Sequence, residues 1–83
     1  MTLAELQAEL CAILAAEELS RIDWEAVQKR CLQVIERLKV EASPDYPHDL
    51  VYHFLDDVDV RQKDPLYAAR QREQLGNWLT AIA

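Results

Sequence analysis

His53 has carboxylates at three of its four neighbouring positions on a helix: Asp49 four residues before it, Asp56 three after and Asp57 four after. An imidazole among carboxylates has two chemical uses. It can hold a divalent metal with oxygen and nitrogen preference, through Asp49, His53 and Asp56, or it can belong to an acidic face that receives a positively charged partner. The spacing matches no established metal signature and HExxH is absent, which favours the acidic face.

The surrounding composition points the same way. No Lys or Arg lies between Lys39 and Arg61, and that gap holds six acids, Glu41, Asp45, Asp49, Asp56, Asp57 and Asp59. The formal net charge of −6 comes entirely from this stretch, because the other acids are balanced by the nine Lys and Arg. Both histidines (His48, His53) and three aromatics (Tyr46, Tyr52, Phe54) share it. Charge segregated this locally implies an interaction surface for a basic partner. The candidate contact residues are Asp45, Tyr46, Asp49, Tyr52, His53, Asp56 and Asp57. Tyr46 and Tyr52 fit such a surface because a tyrosine ring supplies contact area at small entropic cost. Packing over the helix ends is the equal alternative. His48 reads as a surface residue.

Catalysis finds no machinery. The two serines, Ser20 and Ser43, lie in no strand–turn–helix context, and a Cys–His pair requires Cys11 or Cys31 to leave an apolar stripe. The single glycine precludes a glycine-rich phosphate loop. The chain is expected to be non-enzymatic and to need no cofactor. No basic patch forms for nucleic acid, no apolar run reaches membrane-spanning length, and Glu5 and Glu9 stand where a signal peptide carries Lys or Arg. A cytoplasmic location is therefore expected. The cysteine spacing matches no zinc or redox motif, so both are expected to be reduced, small, buried hydrophobes, with a disulfide between the first two helices as the alternative.

Eighty-three residues with one glycine and 51% hydrophobic content describe one small helical domain, residues 1–83. The periodicity predicts helices over 3–18, 24–41, 47–58 and 65–82. Thr2 and Glu5 have capping-box spacing, with Met1 and Leu6 as a hydrophobic staple. Leu3, Leu6, Leu10, Ile13 and Leu14 form the first stripe, and Ala4, Ala8, Ala12 and Ala15 a second one, which suggests neighbours on two sides of that helix or a dimer contact. Asp23 caps the second helix, whose stripe is Trp24, Val27, Cys31, Val34, Ile35 and Leu38. Ser43-Pro44-Asp45-Tyr46-Pro47 is a rigid turn. Pro47 opens the third helix, which buries Leu50, Val51, Phe54, Leu55 and Val58. A loop follows, because a lone strand at Val58-Asp59-Val60-Arg61 has nothing to pair with. Asp64-Pro65 starts the last helix, with Tyr67, Leu75, Trp78, Leu79 and Ile82 on one face. Trp24, Phe54, Tyr67 and Trp78 are assigned to the core. Gly76 is expected to admit a neighbouring backbone. Arg61, Lys63, Arg70 and Arg72 follow the acidic segment directly, and two outcomes stay open: they fold back on the acids as surface ion pairs, or the acids are left for a partner. The fold class is all-α: a compact four-helix bundle with the long first two helices as an antiparallel hairpin and a short third helix.

Asp49-Leu50-Val51-Tyr52-His53, followed by Asp56-Asp57 and by Asp64-Pro65, resembles the DNase-colicin immunity proteins over some 20 residues. Those are acidic four-helix domains that dock a helix of this composition on a basic toxin. His53 stands where that family has a second tyrosine, and the proline that follows it there is missing. The resemblance implies a protein partner bound through an acid-plus-tyrosine helix. Two other readings stand beside it: a homo-oligomer held by the alanine stripe, and a metal-binding domain on Asp49, His53 and Asp56.

Overall fold

Local capping chemistry starts three of the helices. The Thr2 hydroxyl accepts from the Glu5 amide at 3.1 Å and the Glu5 carboxylate accepts from the Thr2 amide at 3.0 Å, which opens α1 (Leu3–Glu17). Asp23 accepts from the Ala26 amide at 3.0 Å and opens α2 (Trp24–Val40). Asp64 accepts from the Leu66 and Tyr67 amides and, with Pro65, opens α5 (Pro65–Ile82). In the computed structural model, which describes residues 1–41 and 45–83, two shorter helices lie between them: α3 (His48–Asp56) and α4 (Val58–Lys63). Ser43 and Pro44 of the expected turn lie outside the described residues. Among the described residues the structure is all-helical with no strand, and no helix is long and apolar enough to cross a membrane.

The core draws on every helix. Leu6, Leu10 and Ile13 of α1 meet Val27, Cys31, Val34, Ile35 and Leu38 of α2. Val51, Phe54 and Leu55 of α3, Val58 of α4, and Leu75 and Leu79 of α5 complete the cluster. Each such side chain contributes about 1.5–3 kcal/mol by leaving water. α2 packs on α1, α3 and α4, and α5 packs on the same three helices.

Several expectations are corrected. The stretch after residue 57 is a fifth helix, not a loop. Asp57 alone interrupts the two helices: its amide closes α3 on the His53 carbonyl, and its carbonyl receives the Arg61 amide of α4. The apparent alternation of Val58-Asp59-Val60-Arg61 hides a helical pair, since the two buried positions are Val58 and Arg61, three apart. Pro47 is the N-cap of α3 rather than its first residue. The alanine stripe of α1 faces outward: Ala4, Ala8 and Ala15 are exposed and Ala12 is half-buried. α1 therefore meets its neighbours through the leucine stripe, with Ala16 and the buried Glu17 at its C-terminal end. Cys11 lies on the same outer side and is exposed, whereas Cys31 is buried, and both are free thiols. Trp24 and Trp78 are half-buried against the core and Tyr67 is exposed, its phenol turned to a polar partner.

Gly76 sits inside α5, and a Cβ built on it meets nothing within 4 Å. No close backbone requires it, so the expected approach does not occur. The glycine only adds conformational freedom to the unfolded chain. Gly76→Ala is expected to raise the unfolding free energy by about 0.5–1 kcal/mol, read as a higher urea midpoint at constant slope.

Candidate protein-binding surface

α3 begins without a side-chain cap, and rings gather there instead. His48 stacks on Tyr52 one turn on, with centroids 4.3 Å apart, and Tyr46 lies 6.0 Å from His48 on the approach to the helix. Tyr46 and Tyr52 are half-buried against the core, so both pack at the helix start while keeping an exposed edge. Asp49 projects from the next position with its side chain 97% exposed and its carboxylate 3.9 Å from His48 Nδ1.

A groove of about 280 Å³ runs between α3 and α5. Asp49, Leu50 and His53 form one wall, and Tyr67, Arg70, Gln71 and Gln74 the other. Two residues of the second wall are held by Asp57, whose carboxylate accepts from the Tyr67 hydroxyl and, at 3.0 Å, from Gln71 Nε2. That hydrogen bond from Tyr67 holds the phenol above its ordinary pKa. The Asp57 carboxylate is therefore engaged within the chain, whereas Asp45, Asp49, His53 and Asp56 are exposed. Asp59, on α4, is exposed as well. Among the described residues no three His, Cys, Asp or Glu side chains converge to hold a metal ion, those of Asp49, His53 and Asp56 included.

The cations go elsewhere. Arg30 pairs with Glu9 at 3.0 Å, Arg37 with Glu5 and Glu41 at 2.9 and 2.8 Å, and Lys39 with Glu36 at 3.6 Å. Arg61 and Arg72 do not fold back on the aspartates; both converge on Glu17, at 2.9 and 3.0 Å. Every one of these pairs uses a glutamate. Among the described residues Asp45, Asp49, Asp56 and Asp59 form no ion pair with Lys or Arg, and neither Lys63 nor Arg70 pairs with an acid. Arg70 stands on the α5 wall of the groove without contacting Asp49.

No family model, curated protein or solved structure matches this chain. The likeness to immunity proteins thus rests on the segment from Asp49 to Pro65 alone.

Beneath the surface lies a cluster the sequence reading passed over. Arg61 is buried, its guanidinium 3.9 Å above the Phe54 ring. It donates to both Glu17 oxygens, to the Phe54 carbonyl and, at 2.6 Å, to Gln71 Oε1. Among the described residues no buried side-chain nitrogen or oxygen lacks a partner, as a buried ionic network requires. Two sequence signals mark it. Glu17 continues the spacing of Leu10 and Ile13 onto the core face of α1, and Gln71 lies between Ala68 and Leu75 on the core face of α5. An acid on a core face demands a buried cation.

The Glu5–Arg37–Glu41 cluster is different, because it is open to water. Hydrogen bonds from the Thr2 backbone and from Arg37 lower the Glu5 pKa from 4.5 to about 2. Glu41 is also lowered, first by its hydrogen bond from Arg37. A carboxylate lowered in the folded state stabilises fully above its unfolded value, and that stability is lost as pH falls through the folded one. The unfolding free energy is expected to drop between about pH 4.5 and 2, and Glu5→Gln to flatten that segment in urea titrations at stepped pH.

Proposed function

We propose that this chain is a non-catalytic binding module that captures a basic protein through the start of α3 and the adjoining acidic face. The observation that carries this reading is the division of labour among the acids. Glutamates take up the ion-paired arginines, whereas among the described residues Asp45, Asp49, Asp56 and Asp59 are exposed and pair with no Lys or Arg. Uncompensated carboxylates on an ordered helix steer a basic partner and raise its association rate at low salt. Tyr46, Tyr52 and His53 supply contact area beside them, and a half-buried tyrosine edge suits the desolvated centre of an interface.

The test is capture of a basic partner from source cells, followed by kinetics at several ionic strengths. Asp49→Asn, Asp56→Asn and Asp59→Asn together are expected to slow association by about tenfold at low salt and to flatten its salt dependence, with the helical circular dichroism unchanged. Asp57 is left intact because its contacts with Tyr67 and Gln71 would mix folding with binding. An unchanged association rate removes this surface from consideration.

The exposed alanine face of α1 favours a second reading, a homo-oligomer joined there, with the acids serving solubility. Light scattering across a concentration series separates the two. An antiparallel α1–α2 hairpin within a helical bundle suits either reading. The pairs Glu9–Arg30 and Glu5–Arg37, which run in opposite directions along the two helices, support it.

A further inference from the structure

The groove between α3 and α5 is lined by one acid and one arginine, and they stand on opposite walls. Asp49 belongs to the α3 wall and Arg70 to the α5 wall, and both are exposed. Among the described residues Arg70 pairs with no acid, and Asp49 has only the 3.9 Å approach of His48 Nδ1. Arg30, Arg37, Arg61 and Arg72 behave otherwise, since each closes on a carboxylate within 3.0 Å. The groove thus keeps two complementary charges apart, across a space of about 280 Å³.

The hydrogen bonds of the α5 wall are already used up. Gln71 Oε1 accepts from the buried Arg61 at 2.6 Å, and Gln71 Nε2 donates to Asp57 at 3.0 Å and to the Tyr67 hydroxyl at 3.2 Å. The Tyr67 hydroxyl in turn donates to Asp57. An amide nitrogen has two donors and a phenol one, so neither Tyr67 nor Gln71 has a donor left for a ligand. The Arg61–Glu17 pair anchors this series of bonds in the interior, which makes the wall preformed. Leu50 gives the α3 wall an apolar patch. Charged recognition falls to Asp49, whose carboxylate accepts, and to Arg70, whose guanidinium donates.

We propose that the α3–α5 groove binds a zwitterion of amino-acid size, with its ammonium on Asp49, its carboxylate on Arg70 and its side chain over Leu50. A space of about 280 Å³ is close to the lower end of small-molecule sites and suits one amino acid. A ligand with a single charge satisfies one wall and leaves the other unpaired. A zwitterion pairs with both through charge-assisted hydrogen bonds. Being neutral overall, it is not repelled by a chain of net charge −6. The proposal does not depend on the capture of a basic protein.

NMR titration of the isotopically labelled chain with L-leucine at neutral pH tests it. Leucine is expected to shift the amides of Leu50, His53, Gln71 and Gln74 with a dissociation constant of about 1 mM. L-leucinamide, which lacks the carboxylate, and N-acetyl-L-leucine, which lacks the ammonium, are each expected to bind about fivefold more weakly. Asp49→Asn is expected to weaken leucine about fivefold and to leave N-acetyl-L-leucine unchanged. Arg70→Gln is expected to weaken leucine equally and to leave leucinamide unchanged. Both side chains are exposed, so the fold withstands either change. Asp59→Asn, on α4 and outside the groove, is the charge control and is expected to alter nothing. No amide shift at about 20 mM leucine, roughly twentyfold above the expected constant, overturns the proposal. So does leucinamide binding as tightly as leucine, or Asp59→Asn weakening leucine as much as Asp49→Asn.

Discussion

Arg61→Met will lower the unfolding free energy by about 3–5 kcal/mol, the cost of leaving one member of a buried ion pair without its partner. Against a total of roughly 4–12 kcal/mol for a domain of this size, that loss leaves the chain marginal. The reason is the state of Glu17. Its carboxylate is buried, and Arg61 supplies three of the four hydrogen bonds that compensate it. Arg72 remains but is partly exposed and reaches one oxygen only. Methionine fills much of the vacated volume, so the deficit measured by urea denaturation reports the orphaned charge rather than a void. Adding Glu17→Met should recover most of the loss, because an apolar pair of similar volume is often as stable as a buried ion pair. A double variant no more stable than Arg61→Met would show that the two residues are not coupled.

Phe54→Ala is expected to cost a further figure of the same size, about 3–5 kcal/mol. The ring is wholly buried where α3 faces the core, and the Arg61 guanidinium lies over it. Truncation opens a cavity and removes a desolvated cation–π contact together. Phe54→Leu separates them: it refills most of the volume without a π face, and its expected cost is about 1–2 kcal/mol. If the leucine and alanine variants unfold at the same urea concentration, the cavity is not the dominant loss.

These two residues show how much was legible beforehand. Phe54 could be placed in the core from its spacing with Leu50, Val51 and Leu55, since helical periodicity reports which side chains share a face. The caps Thr2, Asp23 and Asp64 were equally plain, because a cap bonds amides two or three residues away and carries its signature in adjacent positions. The acidic face was legible as composition. That its aspartates have no arginine was not, since the choice between Glu17 and the α3 carboxylates depends on which lies within reach after packing. α4 was missed because six residues contain too few turns to distinguish a helical period from an alternating one. Gly76 was misjudged for a related reason: a glycine in a helix signals freedom, and only the neighbouring elements decide whether anything approaches it.

From its residues alone, this chain determines an all-helical structure, the starts of three helices, the apolar face of each long one and an acidic segment in its middle. Those features arise from interactions among residues a few positions apart, whose energetics are nearly independent of the rest of the fold. The tertiary structure decided which acids are consumed and which remain exposed, which cysteine is buried, and that Arg61 belongs to the interior. Glu17 and Arg61 are 44 residues apart, and their pairing pays for desolvating two charges only once α1, α4 and α5 have met around them.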